Sequence, residues 1–278
     1  MSGVESAPRT APGPAIAGGV KPRRWGSWYV AEHRLLVMRA YLQTLLFTGI
    51  GSPLIYLFAL GIGLGSLIGR VPGASVSYLV FVAPALVVSA ALMSGVEEFT
   101  FPVMAGFKWI GNFYAMNAAP ITGRQIVNGI IISVSIRLAA ASLVYYLILL
   151  VFGAVPRATG ILLMPIALLT ALSIGAIVMA YAATITEDRG QFALIMRFVI
   201  TPLFLFSGTF FPLETLPVYL QWIGWISPLW HGTQLGRMAS YGLAEPGWLT
   251  IIHVVYPAAL AVIGWVLAGR IVTRRLDQ

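Results

Sequence analysis

Three ionisable residues interrupt long apolar runs and are the first candidates for chemistry in this sequence. Glu97 and Glu98 follow the apolar run of a second predicted helix, and Arg137 lies 12 residues into a third. Charges in such segments are costly and are often functional. The rise of a helix places the glutamates and Arg137 about 10–15 Å apart in height, so we do not expect a direct pair. The alternatives are charges at helix ends and an arginine that reaches a backbone carbonyl.

No sequence pattern for catalysis or nucleotide binding accompanies these charges. The sequence has no cysteine, and its two lysines, Lys21 and Lys108, do not belong to a GxxxxGK phosphate loop followed by Ser or Thr. Its three histidines and two aspartates show no HExxH spacing and no histidine–carboxylate pair placed for hydrolysis. We therefore predict no catalytic residue, no metal site and no cofactor on this chain.

Six long apolar segments make up most of the chain and must position these residues. Hydrophobic residues are 59% of the sequence and charged residues 9%, against about 25% charged in an ordinary soluble domain. A run of about 20 apolar residues crosses a bilayer as a helix, because hydrocarbon offers the backbone no other partner. We predict an all-α integral membrane protein with six transmembrane helices. The predicted spans are about residues 45–68, 78–96 (105 is the alternative end), 125–152, 161–184, 192–210 and 248–270.

The distribution of basic residues predicts the orientation of these spans. Most of the 17 Lys and Arg residues lie before the first span, in the second-to-third and fourth-to-fifth connections, and at the C-terminus. Basic connections stay in the cytoplasm, so we expect both termini there, in a bacterial plasma membrane. The net charge of +8 is dispersed along the chain, and we expect no nucleic-acid partner.

The chain before the first span divides into a tail and a helix. Residues 1–24 are rich in Pro, Ala and Gly and predict a disordered cytoplasmic tail, whereas residues 25–278 form a single membrane domain. Residues 25–42 predict an amphipathic helix on the inner membrane surface. Its apolar face consists of Trp25, Trp28, Tyr29, Leu35, Leu36 and Leu42. This helix is a surface anchor, or Glu32 and Arg39 within the face contact a partner or another span.

The connection between the second and third spans, residues 106–124, predicts a short helix on the cytoplasmic side. Phe107, Ile110, Tyr114 and Ala118 recur at helical spacing, and Pro120 ends the pattern. A short amphipathic helix beside a bundle suits the docking of a soluble partner. A connector at the level of the lipid headgroups is the alternative.

The segment after the fifth span, residues 207–231, is apolar and aromatic but contains Pro212, Pro217 and Pro228. Proline cannot continue a helix interior, so this segment is too broken to span the membrane. We predict external re-entrant helices between spans five and six. Irregular backbone at that depth must be covered by protein, so this element should cap the bundle.

Four stretches give the chain a resemblance to the permease subunits of type-2 ATP-binding-cassette exporters. They are residues 53–56 with 60–65 (PLIY and LGIGLG), residues 114–120 (YAMNAAP), residues 207–212 with 216–217 (SGTFFP and LP), and residues 228–231 (PLWH) with Arg237. The pattern is similar to the permeases of nodulation-factor and daunorubicin-type drug exporters. The resemblance covers about residues 25–270.

This resemblance implies a second permease copy, expected to form a homodimer in the lipid bilayer, and two copies of a separate ATPase that binds ATP and Mg. The short cytoplasmic helix would insert into a cleft of that ATPase. The residues assigned to this coupling are Phe107, Lys108, Ile110, Tyr114, Met116, Ala118 and Pro120.

The predicted function is therefore a permease that exports an amphiphilic substrate, such as a drug, a lipid or a lipid-linked glycan. Its path is expected between the two permease copies. The candidate lining residues are Tyr56, Phe58, Thr201, Phe204 and Phe206. Simple helix packing is the alternative for these aromatic residues. A secondary carrier that needs no ATPase, or an intramembrane enzyme, is the alternative function.

Overall fold

The computed structural model describes residues 24–41, 43, 51, 54–68 and 76–278, and their regular structure is helical. Residues 1–23, Leu42 and the start of the first predicted span lie outside the described residues. In chain order the helices are α1 (Gly26–Ala40), α2 (Leu54–Leu67), α3 (Tyr78–Trp109), α4 (Asn112–Ala118), α5 (Gly123–Val151), α6 (Ala158–Thr184), α7 (Gln191–Leu205), α8 (Val218–Ile226), α9 (Pro228–Ser240) and α10 (Gly247–Leu276).

Four of the described helices are long and apolar enough to cross a membrane. They are α3, α5, α6 and α10, with 32, 29, 27 and 30 residues. At 1.5 Å per residue these helices measure about 40–48 Å, more than the roughly 30 Å of a hydrocarbon core. The helices α2 and α7, in the region of the first and fifth predicted spans, are apolar but have only 10–17 residues. The chain is thus a multi-pass helical membrane protein.

Helix α3 continues farther than the second predicted span. Proline removes one hydrogen bond from a helix interior, and a wider π-helical turn follows Pro102 from Ala105 to Trp109. The helix therefore carries Glu97 and Glu98 inside its length rather than at its end.

Helix α6 forms the centre of the bundle and packs between α3 and α10. Small residues let these helices approach closely. A Cβ on Gly264 of α10 would lie 2.5 Å from the backbone nitrogen of Ile177 in α6. On the side of α3, a Cβ on Gly175 would lie 2.3 Å from the ring of Phe99. These close contacts hold α3, α6 and α10 together as one unit.

Helix α1 lies along α5 and is attached to the bundle by one face. Val30 and Ala31 of this face are buried, and Val30 packs directly on Gly129 of α5. The residues of the predicted aromatic face that remain exposed are Trp25, Trp28, Tyr29 and Leu36. Exposed aromatic side chains beside a membrane bundle are typical of the headgroup region.

We expect Gly264→Ala to lower the free energy of unfolding by about 1–3 kcal/mol, because the new methyl group meets backbone atoms that cannot turn away. Thermal unfolding of the purified protein in detergent measures this loss. Gly269→Ala, in the same helix, is the matched control, since its Cβ would meet only the Cγ of Arg124 at an ordinary 3.6 Å. Equal unfolding temperatures for the two variants would contradict the packing described.

Candidate functional site

One carboxylate holds two arginines where α1, α3 and α5 meet. Glu98 of α3 accepts a hydrogen bond from Arg34 of α1 at 3.1 Å through Oε2, and one from Arg137 of α5 through Oε1. The Nε of Arg34 also donates to the hydroxyl of Ser133 at 3.0 Å. The three charged side chains are only 13–21% exposed. Glu98 therefore ties α1 to two long helices.

This group of charges carries two guanidiniums and one carboxylate. Burial lowers the pKa of Arg34 from its usual value, and the charge of Glu98 opposes that shift. A guanidinium remains protonated in proteins, so the group keeps a net positive charge. The neighbouring Glu97 is exposed.

The expectation that Glu98 and Arg137 would not pair is wrong. It placed the glutamates at the inner end of a short second span, whereas α3 continues to Trp109. Glu98 therefore lies away from the end of its helix, and the long side chain of Arg137 reaches it.

The predicted connection, residues 106–124, begins in the last turn of α3 and continues in α4, and the two helices meet at Gly111. This residue has a φ of 70°, which glycine adopts without strain. The turn divides the predicted stripe of Phe107, Ile110, Tyr114 and Ala118. Phe107 belongs to the end of α3, and Tyr114 and Ala118 belong to α4.

Phe107 is buried and packs edge-on against Phe113 of α4, with ring centres 5.1 Å apart. The guanidinium of Arg275, from α10, lies 4.1 Å from the centre of the Phe107 ring. It also donates to the carbonyls of Ala183 and Ile185 at 2.7 and 2.8 Å. Carbonyls at the C-terminal end of a helix lack helical partners and favour a cation. Arg275 thus joins the connection, α6 and α10 at one point.

The exposed side chains of this connection are mostly apolar, and we call them together the loop surface. Its members are Lys108, Trp109, Ile110, Tyr114, Ala115, Ala118 and Ala119. Ile110 is 73% exposed and Tyr114 is 46% exposed. Large apolar side chains exposed together indicate a site of interaction. Of the other predicted coupling residues, Phe107 is buried, and Met116 and Pro120 are half-buried.

The candidate path residues lie in two groups. They are Tyr56 and Phe58 on α2, and Thr201, Phe204 and Phe206 on and just after α7. Phe58 packs edge-on against Phe152, and Phe204 packs edge-on against Phe210. No ring contact within the described residues joins the two groups. A role for these residues in a substrate path stays a prediction.

The helices α8 and α9, with the turns on either side (residues 207–246), form a cap over the end of the bundle opposite the loop surface. Gly232 of α9 packs on Val88, in the N-terminal half of α3, and on Thr170, at the middle of α6, so α9 reaches into the bundle. Arg237 of α9 is buried, donates to the Gly208 carbonyl at 2.7 Å, and lies 3.7 Å from the centre of the Phe81 ring. The arginine therefore fastens the turn after α7 to α3.

This arrangement defines a class of protein: a multi-pass helical membrane protein with an apolar interaction surface at one end and a packed cap at the other. Comparison with known families identifies the class more closely. Residues 32–241 match the family described as ABC-2 type transporter, and the chain belongs to that family. It is a permease subunit of a type-2 ATP-binding-cassette exporter, as the resemblance predicted.

Several relatives support this assignment along most of the chain. Nodulation protein J of Rhizobium leguminosarum bv. viciae is 26% identical over 227 residues, which cover 82% of this chain and 86% of that protein. Nodulation protein J of Rhizobium meliloti (strain 1021) is 28% identical over 229 residues, which cover 82% and 85%. Nodulation protein J of Neorhizobium galegae is also 28% identical over 229 residues, covering 82% and 86%.

Sequence reasoning missed four residues on which these sites depend: Arg34, Phe113, Ser133 and Arg275. In the sequence, Arg34 and Arg275 are only two of the basic residues that indicate orientation. Their position in a helix before the first span and in the last turn of α10 was the available signal. A basic residue in the last turn of a helix is placed to reach neighbouring carbonyls.

We expect Glu98→Gln to lower the free energy of unfolding by about 1–3 kcal/mol, because two largely buried guanidiniums would lose their shared carboxylate. Thermal unfolding in detergent at low and high salt measures the loss. Glu97→Gln is the matched control because Glu97 is exposed. If both variants lost the same stability, Glu98 would not be the joint between α1, α3 and α5.

Proposed function

We propose that this chain is a six-span permease that exports an amphiphilic substrate, such as a drug, a lipid or a lipid-linked glycan. In this proposal α2 and α7 complete the six spans with α3, α5, α6 and α10. Two permease copies, forming a homodimer, associate with two copies of a separate ATP-binding-cassette ATPase. That ATPase binds ATP and Mg. The loop surface is the observation that carries the proposal.

The loop surface suits the docking of an ATPase because of its composition and its place in the bundle. It is aromatic and apolar, with Lys108 as its charged member. It lies at the end of the bundle where basic residues gather, among them Arg124, Arg270 and Arg274, all exposed. By the positive-inside rule this end faces the cytoplasm, and both termini then lie there.

Contacts behind the loop surface explain how a movement there would reach the spans. Phe107 contacts Tyr114 of the loop surface, with ring centres 6.0 Å apart, and also contacts the guanidinium of Arg275. Arg275 in turn contacts the end of α6 and belongs to α10. Glu98, on the same helix as Phe107, is bonded to α1 and α5. A displacement of the connection therefore acts on several helices together.

The apolar character of α2 and α7 supports an amphiphilic substrate. Within the described residues of these two helices, Arg197 is the only residue of the ionisable types Asp, Glu, Lys, Arg and His. Their large exposed side chains include Tyr56, Phe58 and Phe198. Helices of this kind offer aromatic and aliphatic contacts but few partners for a strongly charged solute.

Replacement of an exposed aromatic residue on the loop surface tests the docking role. We expect Tyr114→Asp to weaken ATPase binding by about 30-fold or more, since removal of a central aromatic residue from an interface commonly costs about 2 kcal/mol or more. The measurement is ATP hydrolysis by the copurified ATPase in lipid, with and without permease. Thr184→Asp, exposed at the neighbouring end of α6, is the matched control. Unchanged stimulation by Tyr114→Asp would reject the docking assignment.

Arg275 gives a second test, directed at transmission rather than docking. We expect Arg275→Ala to leave ATPase binding intact but to reduce permease-dependent stimulation of hydrolysis several-fold, because the connection would lose its contact with α6. Arg274→Ala, at the exposed neighbouring position, should leave stimulation unchanged. Coprecipitation and hydrolysis are measured on the same samples. Equal stimulation by the two variants would show that Arg275 transmits nothing.

A further inference from the structure

A chain of hydrogen bonds connects the cap to α10. Nε2 of His231 lies 3.0 Å from the carbonyl oxygen of Trp225, and Nδ1 of His231 lies 2.7 Å from Nδ1 of His253. Nε2 of His253 lies 2.7 Å from Oε2 of Glu245. His253 is fully buried and His231 almost fully buried. The distance between the two imidazole nitrogens is that of a hydrogen bond.

The other carboxylate oxygen of Glu245, Oε1, accepts a hydrogen bond from Gln234, and the orientation of that amide is determined by Arg237. Nη1 of Arg237 donates to Oε1 of Gln234 at 3.0 Å, because a guanidinium has only donors. The other end of the Gln234 amide, Nε2, therefore faces Oε1 of Glu245 and donates to it at 2.6 Å. At the opposite end of the chain, the Trp225 carbonyl can only accept.

The three contacts between these ends need three hydrogens. They are the contact of Trp225 with His231, that of His231 with His253, and that of His253 with Glu245. Two neutral imidazoles carry one ring hydrogen each, and a carboxylate carries none. The chain of contacts closes only when a third proton is bound. This count is the same whichever of the three side chains holds that proton.

The surroundings of His231 indicate where the third proton lies. Burial lowers the pKa of His231 to about 4, so this imidazole is neutral near pH 7. With His231 neutral and donating to Trp225, the third proton lies between Nε2 of His253 and Oε2 of Glu245, whichever of the two atoms carries it.

Other ionisable groups around Arg237 and these three side chains make no hydrogen bond to His231, His253 or Glu245 within the described residues. They are Tyr78 on α3, Glu214 beside α8, Arg237 and Tyr241 at the end of α9, and Tyr256 on α10. The hydroxyl of Tyr256 donates to the carbonyl of Ile226. Helix α6, which packs on α10, contains no Asp, Glu, Lys, Arg or His. In α5, Arg124 faces the opposite end of α10 at Gly269, and Arg137 is bonded to Glu98.

We propose that His231, His253 and Glu245 form a binding site for one proton, and that this proton fastens the cap to α10. Without it, two acceptors face each other at one of the three contacts: between His253 and Glu245, between His231 and His253, or between His231 and the Trp225 carbonyl. The first two breaks release a contact between the cap and α10, and the third releases α8 from α9 within the cap. The proposal concerns closure of the cap and holds for any substrate. The statement that the proton arrives from the external side of the membrane is the one part that rests on the proposed orientation.

Paired spin labels measure the closure of the cap directly. The sequence has no cysteine, so Tyr219→Cys on α8 and Ile251→Cys on α10 introduce two unique and exposed sites. In the full chain in lipid nanodiscs, we expect a narrow distribution of label distances at pH 5 that broadens and lengthens as the pH rises toward 9. A single linked proton changes the closing equilibrium by about tenfold per pH unit once it begins to dissociate.

Two variants make the test specific to the third proton. Glu245→Gln supplies an amide hydrogen to His253 and still accepts from Gln234, so we expect the narrow distribution at every pH. His231→Phe removes the acceptor that faces His253, so His253 can use its single ring hydrogen on Glu245, and this variant should also lose the pH response. His33→Gln on α1, where the imidazole is exposed, should respond as the unmodified chain does.

The proposal is overturned if the unmodified chain shows the same distance distribution from pH 5 to pH 9. It is also overturned if Glu245→Gln broadens with pH as the unmodified chain does. Thermal unfolding at pH 7 verifies that each variant is folded. If Glu245→Gln does not fold, His231→Phe decides in its place: loss of the pH response supports the site, and an unaltered response overturns it.

Discussion

Hydrocarbon offers no hydrogen bonds to a polar group, and this constraint determines where the polar side chains of the bundle lie. Glu98 is bonded to two arginines, Arg237 to backbone carbonyls and an amide, and Arg275 to the carbonyls at the end of α6. Each of these groups joins elements that are distant in the sequence. The few polar residues therefore determine which helices are connected, while small apolar residues determine how closely they pack.

The bundle that results has two different ends. At one end, the connection after α3 exposes an apolar loop surface and is joined through Phe107 and Arg275 to α6 and α10. At the other end, α8 and α9 cover the bundle and are fastened by Arg237 and by the imidazole pair. Helix α6 packs on both α3 and α10. A displacement at the loop surface can therefore be transmitted along these packed helices to the cap.

The sequence predicted the long helices well, because a run of apolar residues leaves the backbone no alternative to helix. It also identified the family, through the stretches that surround Tyr114 and His231. Pairs such as Arg34 with Glu98, or Arg275 with Phe107, escaped prediction because their partners come together only when separate helices pack. The predicted helical stripe from Phe107 to Ala118 is interrupted at Gly111, where a positive φ turns the chain.

Transport by reconstituted protein tests the central claim that this permease moves its substrate only when a separate ATPase drives it. Inside-out proteoliposomes would contain the full chain alone or together with its copurified ATPase. The probes are doxorubicin and a fluorescent phospholipid. The account predicts that at least one probe accumulates in the vesicle lumen or inner leaflet only when both the ATPase and Mg-ATP are present. Accumulation against a gradient by the permease alone would contradict the account.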